Sequence, residues 1–248
     1  MPNYAVILPA AGKSSRFGGL EKKPFVALQG KAIWQRSAEL FWTRPNVSKV
    51  YLVISPEDRS DFRDRFGHIV AFANAEVVDG GSERFESVAL ALARIPDDVD
   101  FVAVHDAVRP MTPMPLIDAV FAKARETGAA MLAVPVADTL KRVDPATQTI
   151  TETVSRENLW QAQTPQVFRR DWLKDAYARR DSFGPNITDD AQLVEAAGHP
   201  VAVVVGSPLN FKITTPNDLK LAETVYRPAG KAADKPGRPL GFHEDVKW

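Results

Sequence analysis

The chain of 248 residues contains no cysteine. A disulfide framework, a thiolate metal site and a cysteine nucleophile are therefore excluded. Its 4 histidines are scattered, with no pair at metal-binding spacing, so a zinc site is not expected. It has no excess of charge of either sign: 31 Lys and Arg balance 31 Asp and Glu. Global charge thus gives no reason to expect nucleic acid or a membrane surface as partner, and any anion site must come from local placement of cations. No apolar run approaches the roughly 18 residues of a membrane span. The first residues run straight into a strand, with no basic segment and cleavage site ahead of it. The expectation is a cytoplasmic enzyme. There is no G-x-S-x-G elbow either, so chemistry through a protein nucleophile finds little support.

The most telling segment that is present is "VILPAAGKSSRFGG", residues 6–19, followed by Lys22, Lys23 and Pro24. An apolar strand opens into a loop of small residues, which lets backbone N–H groups approach a ligand closely. Arg16 and Lys23 then supply charge where a triphosphate would lie. Two familiar loops do not fit. A P-loop needs a glycine five residues before Gly12, where Ile7 stands. The dinucleotide fingerprint needs a Gly-x-Gly after the strand, which is missing. On residues alone, a glycine-rich strand-to-helix turn without a ligand remains the alternative.

Strand and helix patterns alternate along the chain. Strands are expected at 5–8, 49–55, at "AEVVDGG", at 100–107, at "AAMLAVPV", at "PVAVVVG" and at "NFKITTP". Helices are expected at 32–43, 57–66, 83–94, from Pro115 to Thr127 with Gly128 as the stop, and at 170–180. Ser82 and Thr188 are read as helix caps, and Thr215 as the start of a capping box. This order implies an α/β fold of Rossmann-like type, a mostly parallel sheet with helices on both faces. Ligands in such sheets bind beyond the carboxyl ends of the strands, where residues 9–19, 79–87 and 105–109 all fall. The rhythm breaks between Asp138 and Gln166, a Thr-rich stretch read as a β-hairpin arm leaving the core, with its turn at Asp144–Pro145. Residues 1–226 form the expected domain, and 227–248 a Pro/Gly-rich tail.

Several residues then stand near the expected mouth. In "VHDAVRP", Asp106 can take hydroxyls or a divalent ion, and Arg109 can hold an oxyanion by a bidentate fork. A plain surface Asp–Arg pair is the alternative, and His105 reads as packing rather than catalysis. Gly80 and Gly81 suit a backbone that reads a flat base, with Ser87 one turn into the next helix; a simple loop-to-helix junction is the competing reading. Lys212 sits where it can meet an α-phosphate, or merely guard an edge strand. The arm carries Thr139, Lys141, Arg142, Arg156 and Thr164, which by pattern alone are ordinary surface groups. Positioned cations without a nucleophile suit phosphoryl or nucleotidyl transfer, where a protein mainly aligns groups and neutralises charge.

The pieces "PAAGKSSRFGG", "KKPF", "VVDGGSERFESV", "VHDAVRP", "PVADTLKRV", "TVSRENLWQAQTPQVF", "ITDDAQLVEAAG" and "NFKITTPNDLKLAE" together resemble the 2-C-methyl-D-erythritol 4-phosphate cytidylyltransferase family over about residues 3–225. The resemblance implies a Rossmann-like nucleotidyltransferase sheet, a homodimer joined through the 138–166 arm, Mg²⁺, and transfer of CMP from CTP to the methylerythritol phosphate of the non-mevalonate isoprenoid route. By that likeness Arg16 and Lys23 stabilise the transition state on the triphosphate, and Arg156 and Lys212 position the sugar-alcohol phosphate and the α-phosphate. Asp106, Arg109, Thr139 and Thr164 are implied substrate contacts, with Arg156 and Thr164 offered across the dimer. Ala10, Ala11, Gly12, Gly81, Ser82 and Ser87 are implied contacts to CTP. The metal is implied to be held mainly by nucleotide phosphates rather than by protein ligands. The family loop carries a second glycine two residues after the first, where Ser14 stands here, and Ser82 takes a place often acidic. A cytidylyltransferase for another polyol phosphate such as ribitol 5-phosphate, and a nucleotide-binding protein without catalysis, are the competing functions.

Overall fold

The first strand, β1 (Tyr4–Pro9), is apolar at nearly every position, and Tyr4 to Leu8 are all buried. Such a strand is stable only between two neighbours with both faces covered. In the computed structural model, which describes residues 2–12, 17, 21–184 and 187–226, β1 lies inside a seven-stranded sheet. It pairs in parallel with β4 (Val47–Ile54) on one side and β6 (Phe101–Val104) on the other. Between β1 and β4 come a two-residue hairpin, β2 (Ala27–Leu28) and β3 (Lys31–Ala32), and the helix α1 (Ile33–Glu39). The hairpin was not foreseen; its turn is made by Gln29 and Gly30 at φ of 46° and 82°, a left-handed pair that matches strand twist.

After α2 (Arg59–Phe72), strand β5 (Ala75–Asp79) extends the parallel sheet beyond β4, and α3 (Arg84–Leu92) crosses back to β6. Helix α4 (Met114–Thr127) ends at Gly128, whose φ of 87° closes the helix in a left-handed cap, and β7 (Ala129–Pro135) follows. A Cβ at Gly128 would also lie 2.3 Å from the Trp172 ring, so helix end and packing both require glycine. Beyond β8 (Leu140–Val143) and β9 (Ile150–Val154), the chain forms β10 (Trp160–Arg169), α5 (Arg170–Ala178), α6 (Asp190–Ala196), β11 (Ala202–Val205) and α7 (Pro216–Val225). The sheet order is β11-β7-β10-β6-β1-β4-β5, with β10 alone antiparallel to both neighbours.

Alternate side chains of β1 feed two cores. Val6 and Leu8 meet Trp34, Phe41, Phe62 and Phe121 from α1, α2 and α4 and the residues beside them, while Ala5 and Ile7 meet Val88, Leu92, Leu173 and Leu193 from α3, α5 and α6. Helices thus cover both faces, as expected. A smaller cluster of Phe17, Leu28, Ile33, Val108, Ile213 and Ala222 seats α7 across the strand ends.

The structure corrects four expectations. The arm is shorter than residues 138–166: β8 and β9 form a separate two-stranded ribbon, whereas 160–166 belong to β10 inside the main sheet. "NFKITTP" is no strand; Ile213 N–H makes a single bond to the Val108 carbonyl at 3.0 Å. Ser82 is not the cap of α3, because Glu83 and Glu86 form a reciprocal capping box there. Thr188 is not the cap of α6, since the Asp189 carboxylate accepts from Gln192 N–H at 2.9 Å. The Thr215 capping box is present, with Asp218 as its partner. The 227–248 tail lies outside the described residues.

Candidate active site

Parallel pairing brings the carboxyl ends of β1, β4, β5 and β6 to one edge of the sheet, where Pro9 is level with Val53 and Ile54 with Asp79. The chain after β1 is fixed by Ala10 N–H, which donates to the Val53 carbonyl at 2.7 Å, and by Ser55, whose hydroxyl donates to the Ala11 carbonyl at 2.9 Å. After β5, Gly80 N–H donates to the Ile54 carbonyl at 2.7 Å. A Cβ at Gly80 would lie 2.8 Å from Ala11 Cβ and 2.8 Å from Ser87 Oγ, so this close approach of two loops needs glycine. Ser87 buttresses the turn: its hydroxyl accepts from Gly81 N–H at 3.2 Å and donates to the Glu83 carbonyl at 3.0 Å. Ser82 gives both its N–H and its hydroxyl to the Glu86 carboxylate, each at 2.8 Å.

The end of β6 is held by buried polar bonds. Asp106 N–H donates to Thr164 Oγ1 at 3.0 Å, and that hydroxyl faces His105 Nδ1 at 3.2 Å. Arg109 Nε donates to Asp106 Oδ2 at 3.0 Å, and Arg109 Nη1 to the Asn210 carbonyl at 2.6 Å. Asn210 is fully buried and donates to the Thr164 carbonyl at 2.8 Å. These bonds pull residues 207–212 over the site, and Lys212 Nζ reaches Asp106 Oδ2 at 3.2 Å. Burial alone would raise the Asp106 carboxyl, but Lys212, Arg84 and Arg109 hold it well below the ordinary carboxylate range. Asp106 is therefore an anion bracketed by cations, not the exposed Asp–Arg pair of the alternative reading.

These segments enclose a cavity of about 280 Å³. Its wall includes Ala10, Ala11, Gly12, Lys23, Gly81, Ser82, Ser87, Asp106 and Lys212, nine of the residues singled out in the sequence. Arg109 stands behind Asp106. Thr164 is buried in β10 beneath Asp106, where its own chain uses it; offering it to a second subunit is thereby corrected. Thr139 and Arg156 are exposed at the base of the β8–β9 arm, Arg156 bonding the Ala137 carbonyl, and neither lines this cavity. Arg16 and Ser14 lie outside the described residues.

Two neighbouring lysines divide their work. Lys22 Nζ is clamped by Glu57 at 2.6 Å and Asp58 at 2.8 Å, which ties the loop to the turn after β4, while Lys23 lines the cavity. The sequence reading missed Arg84, also in the wall, and its partner Asp190, 2.7 Å away and wholly buried. A signal existed: Arg84 is the first residue of α3, where helices favour acids over cations. Among the described residues no cluster of three or more His, Asp or Glu could hold a metal, and no helix is long and apolar enough to cross a membrane.

The arrangement can receive a flat base against the Gly80–Gly81 turn and gather phosphates between Lys23 and Lys212. Comparisons with known proteins agree with that chemistry. The profile of the 2-C-methyl-D-erythritol 4-phosphate cytidylyltransferase family matches residues 4–227. A protein of that name from Rhodopirellula baltica is 44% identical over 234 residues, covering 90% of this chain and 94% of its own. One from Bacillus velezensis is 40% identical over 225 residues, covering 90% and 96%. The crystal structure of the Francisella tularensis enzyme of that name superposes with a TM-score of 0.77 at 30% identity, covering 90% of this chain and 99% of that one.

Proposed function

The chain belongs to the 2-C-methyl-D-erythritol 4-phosphate cytidylyltransferase family, and from that premise we propose that it transfers CMP from CTP to 2-C-methyl-D-erythritol 4-phosphate. The products are 4-diphosphocytidyl-2-C-methyl-D-erythritol and pyrophosphate, in the non-mevalonate route to isoprenoids. The observation that carries the proposal is a single cavity walled by the β1 loop, the Gly80–Gly81 turn, Lys23, Asp106 and Lys212.

A phosphate oxygen of the acceptor attacks the α-phosphorus of CTP in line. The new P–O bond forms as the bond to the bridging oxygen breaks, and pyrophosphate leaves with that electron pair. The attacking oxygen is already anionic, so no general base is required. Lys23, together with Arg16, balances the charge gathering on the leaving group. Lys212 orients the acceptor phosphate, and Asp106 receives its hydroxyls. Gly81, Ser82 and Ser87 bound the base, with Ala10, Ala11 and Gly12 along the nucleotide.

Mg²⁺ would be held mainly by the nucleotide phosphates, beside the ionised Asp106 carboxylate of the wall. When bound, it screens the phosphate charges against each other. The proposal includes a homodimer in which the arm of one copy brings Arg156 and Thr139 to the other's cavity. Support comes from exposed Val143, Ile150, Leu159 and Trp160 on and beside the arm, and Val203 and Val205 on the edge strand β11, an apolar surface of the kind that subunits cover. The proposed location is the cytoplasm, where CTP is supplied.

Pyrophosphate release from CTP, with methylerythritol phosphate and ribitol 5-phosphate compared side by side, tests the assignment. Turnover with the former and little with the latter is expected; the reverse preference would overturn the acceptor.

A further inference from the structure

Arg84 is anchored more firmly than a surface arginine and is left with a donor to spare. Its Nη2 donates to Asp190 Oδ2 at 2.7 Å. Asp190 is wholly buried, and its other oxygen accepts the Tyr177 hydroxyl at 2.5 Å. Arg84 Nη1 is buried as well and meets no hydrogen-bond partner among the described residues. The same side chain forms part of the cavity wall with Asp106 and Lys212. Burial works against its charge, but Asp190 and then Asp106 more than restore it, so the guanidinium is held firmly protonated.

A buried donor without a partner costs stability. A purely structural tie between α3 and α6 would not need that cost, since buried ion pairs are often replaceable by apolar contacts of similar volume. It would not need a place in the cavity wall either. A guanidinium offers a rigid fork that matches phosphate, whereas Lys212 offers a point charge. Arg84 lines the same wall as Asp106 and Lys212, the two groups assigned above to the acceptor. We propose that Arg84 binds the phosphate of the polyol phosphate acceptor together with Lys212, and that Asp190 and Tyr177 are positioning residues that hold its guanidinium for that contact. The inference rests on the reading of the chain as a polyol phosphate cytidylyltransferase.

Kinetics of the full chain carrying Arg84→Lys, with CTP and methylerythritol phosphate varied separately, test it. Lysine keeps the charge and loses the fork. The KM for the acceptor should rise about 10- to 100-fold, as expected for losing a hydrogen bond to a charged group, with the KM for CTP essentially unmoved. Asp190→Asn should shift the same constant in the same direction. An unchanged acceptor KM with a lowered melting temperature would reduce Arg84 to a structural tie and overturn the proposal. A rise confined to the KM for CTP would overturn it too, by making Arg84 a nucleotide contact. Should both variants fail to fold, the Arg84 side-chain N–H resonance of the wild-type protein should move on addition of methylerythritol phosphate to the CTP-loaded form; a fixed resonance refutes the contact. Wild-type protein that turns over no polyol phosphate would instead remove the parent reading, and this one with it.

Discussion

Lys22 and Lys23 are adjacent in the chain and face different surroundings: one is held by Glu57 and Asp58, the other lines the cavity. Lys23→Ala is expected to lower kcat about 100- to 1,000-fold, the size of losing one stabilising contact to developing charge, with a much smaller change in the KM for CTP. Steady-state kinetics check this, and a change in KM alone would contradict the role. His105 makes a second prediction. Its ring packs 5.0 Å from Phe41, and the neutral form is satisfied when the Thr164 hydroxyl donates to Nδ1 and Nε2–H donates to the Arg109 carbonyl. Burial lowers its pKa from 6.5 to about 4. The unfolded chain therefore binds the proton more readily between those values. The associated stability is complete above pH 6.5 and is lost as pH falls toward 4, by up to about 3 kcal/mol. Denaturant midpoints measured across that range should fall less steeply in His105→Gln; an equal slope would refute the assignment. At this scale the sequence carried Lys23, Asp106 and Lys212, because each lies in a short stretch that ends at a strand or loop. Arg84 was harder to see because its partner Asp190 is 106 residues away.

The strands that build the mouth were legible because continuous apolar runs such as Tyr4–Leu8 permit little besides a doubly covered strand. Strand β10 was misread as arm for a physical reason. Gln163, Thr164 and Gln166 look like surface residues, yet all are buried. Gln163 donates to the Ser207 carbonyl at 2.9 Å, and Gln166 donates to Asp189 at 2.9 Å while accepting from Ala191 N–H at 2.9 Å. Polar groups tolerate burial once every bond is made, and those partners are remote in sequence. The junction of the β1 and β5 ends depends on one missing side chain. Gly80→Ala should force the Ala11 loop and the Ser87 turn apart. Isothermal titration with CTP should then show affinity weakened at least about tenfold, the effect of losing one good contact, while wild-type affinity in the variant would show that the approach is not needed.

At the scale of the whole molecule, the cavity of one chain holds Lys23, Arg84 and Lys212, and the Arg156 proposed to join them sits on the exposed arm. If a second copy supplies it, Lys23→Ala and Arg156→Ala damage different halves of one shared site. Each variant alone should be nearly inactive. Mixed under conditions that exchange subunits, they should regain activity, because some mixed dimers carry one undamaged site. Activity that stays absent in dimers shown to have exchanged would mean that the arm serves its own chain. The length of the arm was misjudged from sequence because a ribbon and the strand after it share the same polar composition; the pairing of residues 160–168 with β7 and β6 separates them. The claim on which the rest depends is that cations from distant segments meet one reacting phosphorus. Phosphorus NMR of the purified protein with CTP, Mg²⁺ and methylerythritol phosphate reads that phosphorus directly. The account predicts loss of the CTP triphosphate signals and growth of pyrophosphate and a diphosphate diester together. CTP that binds yet keeps its three phosphorus signals intact would contradict it.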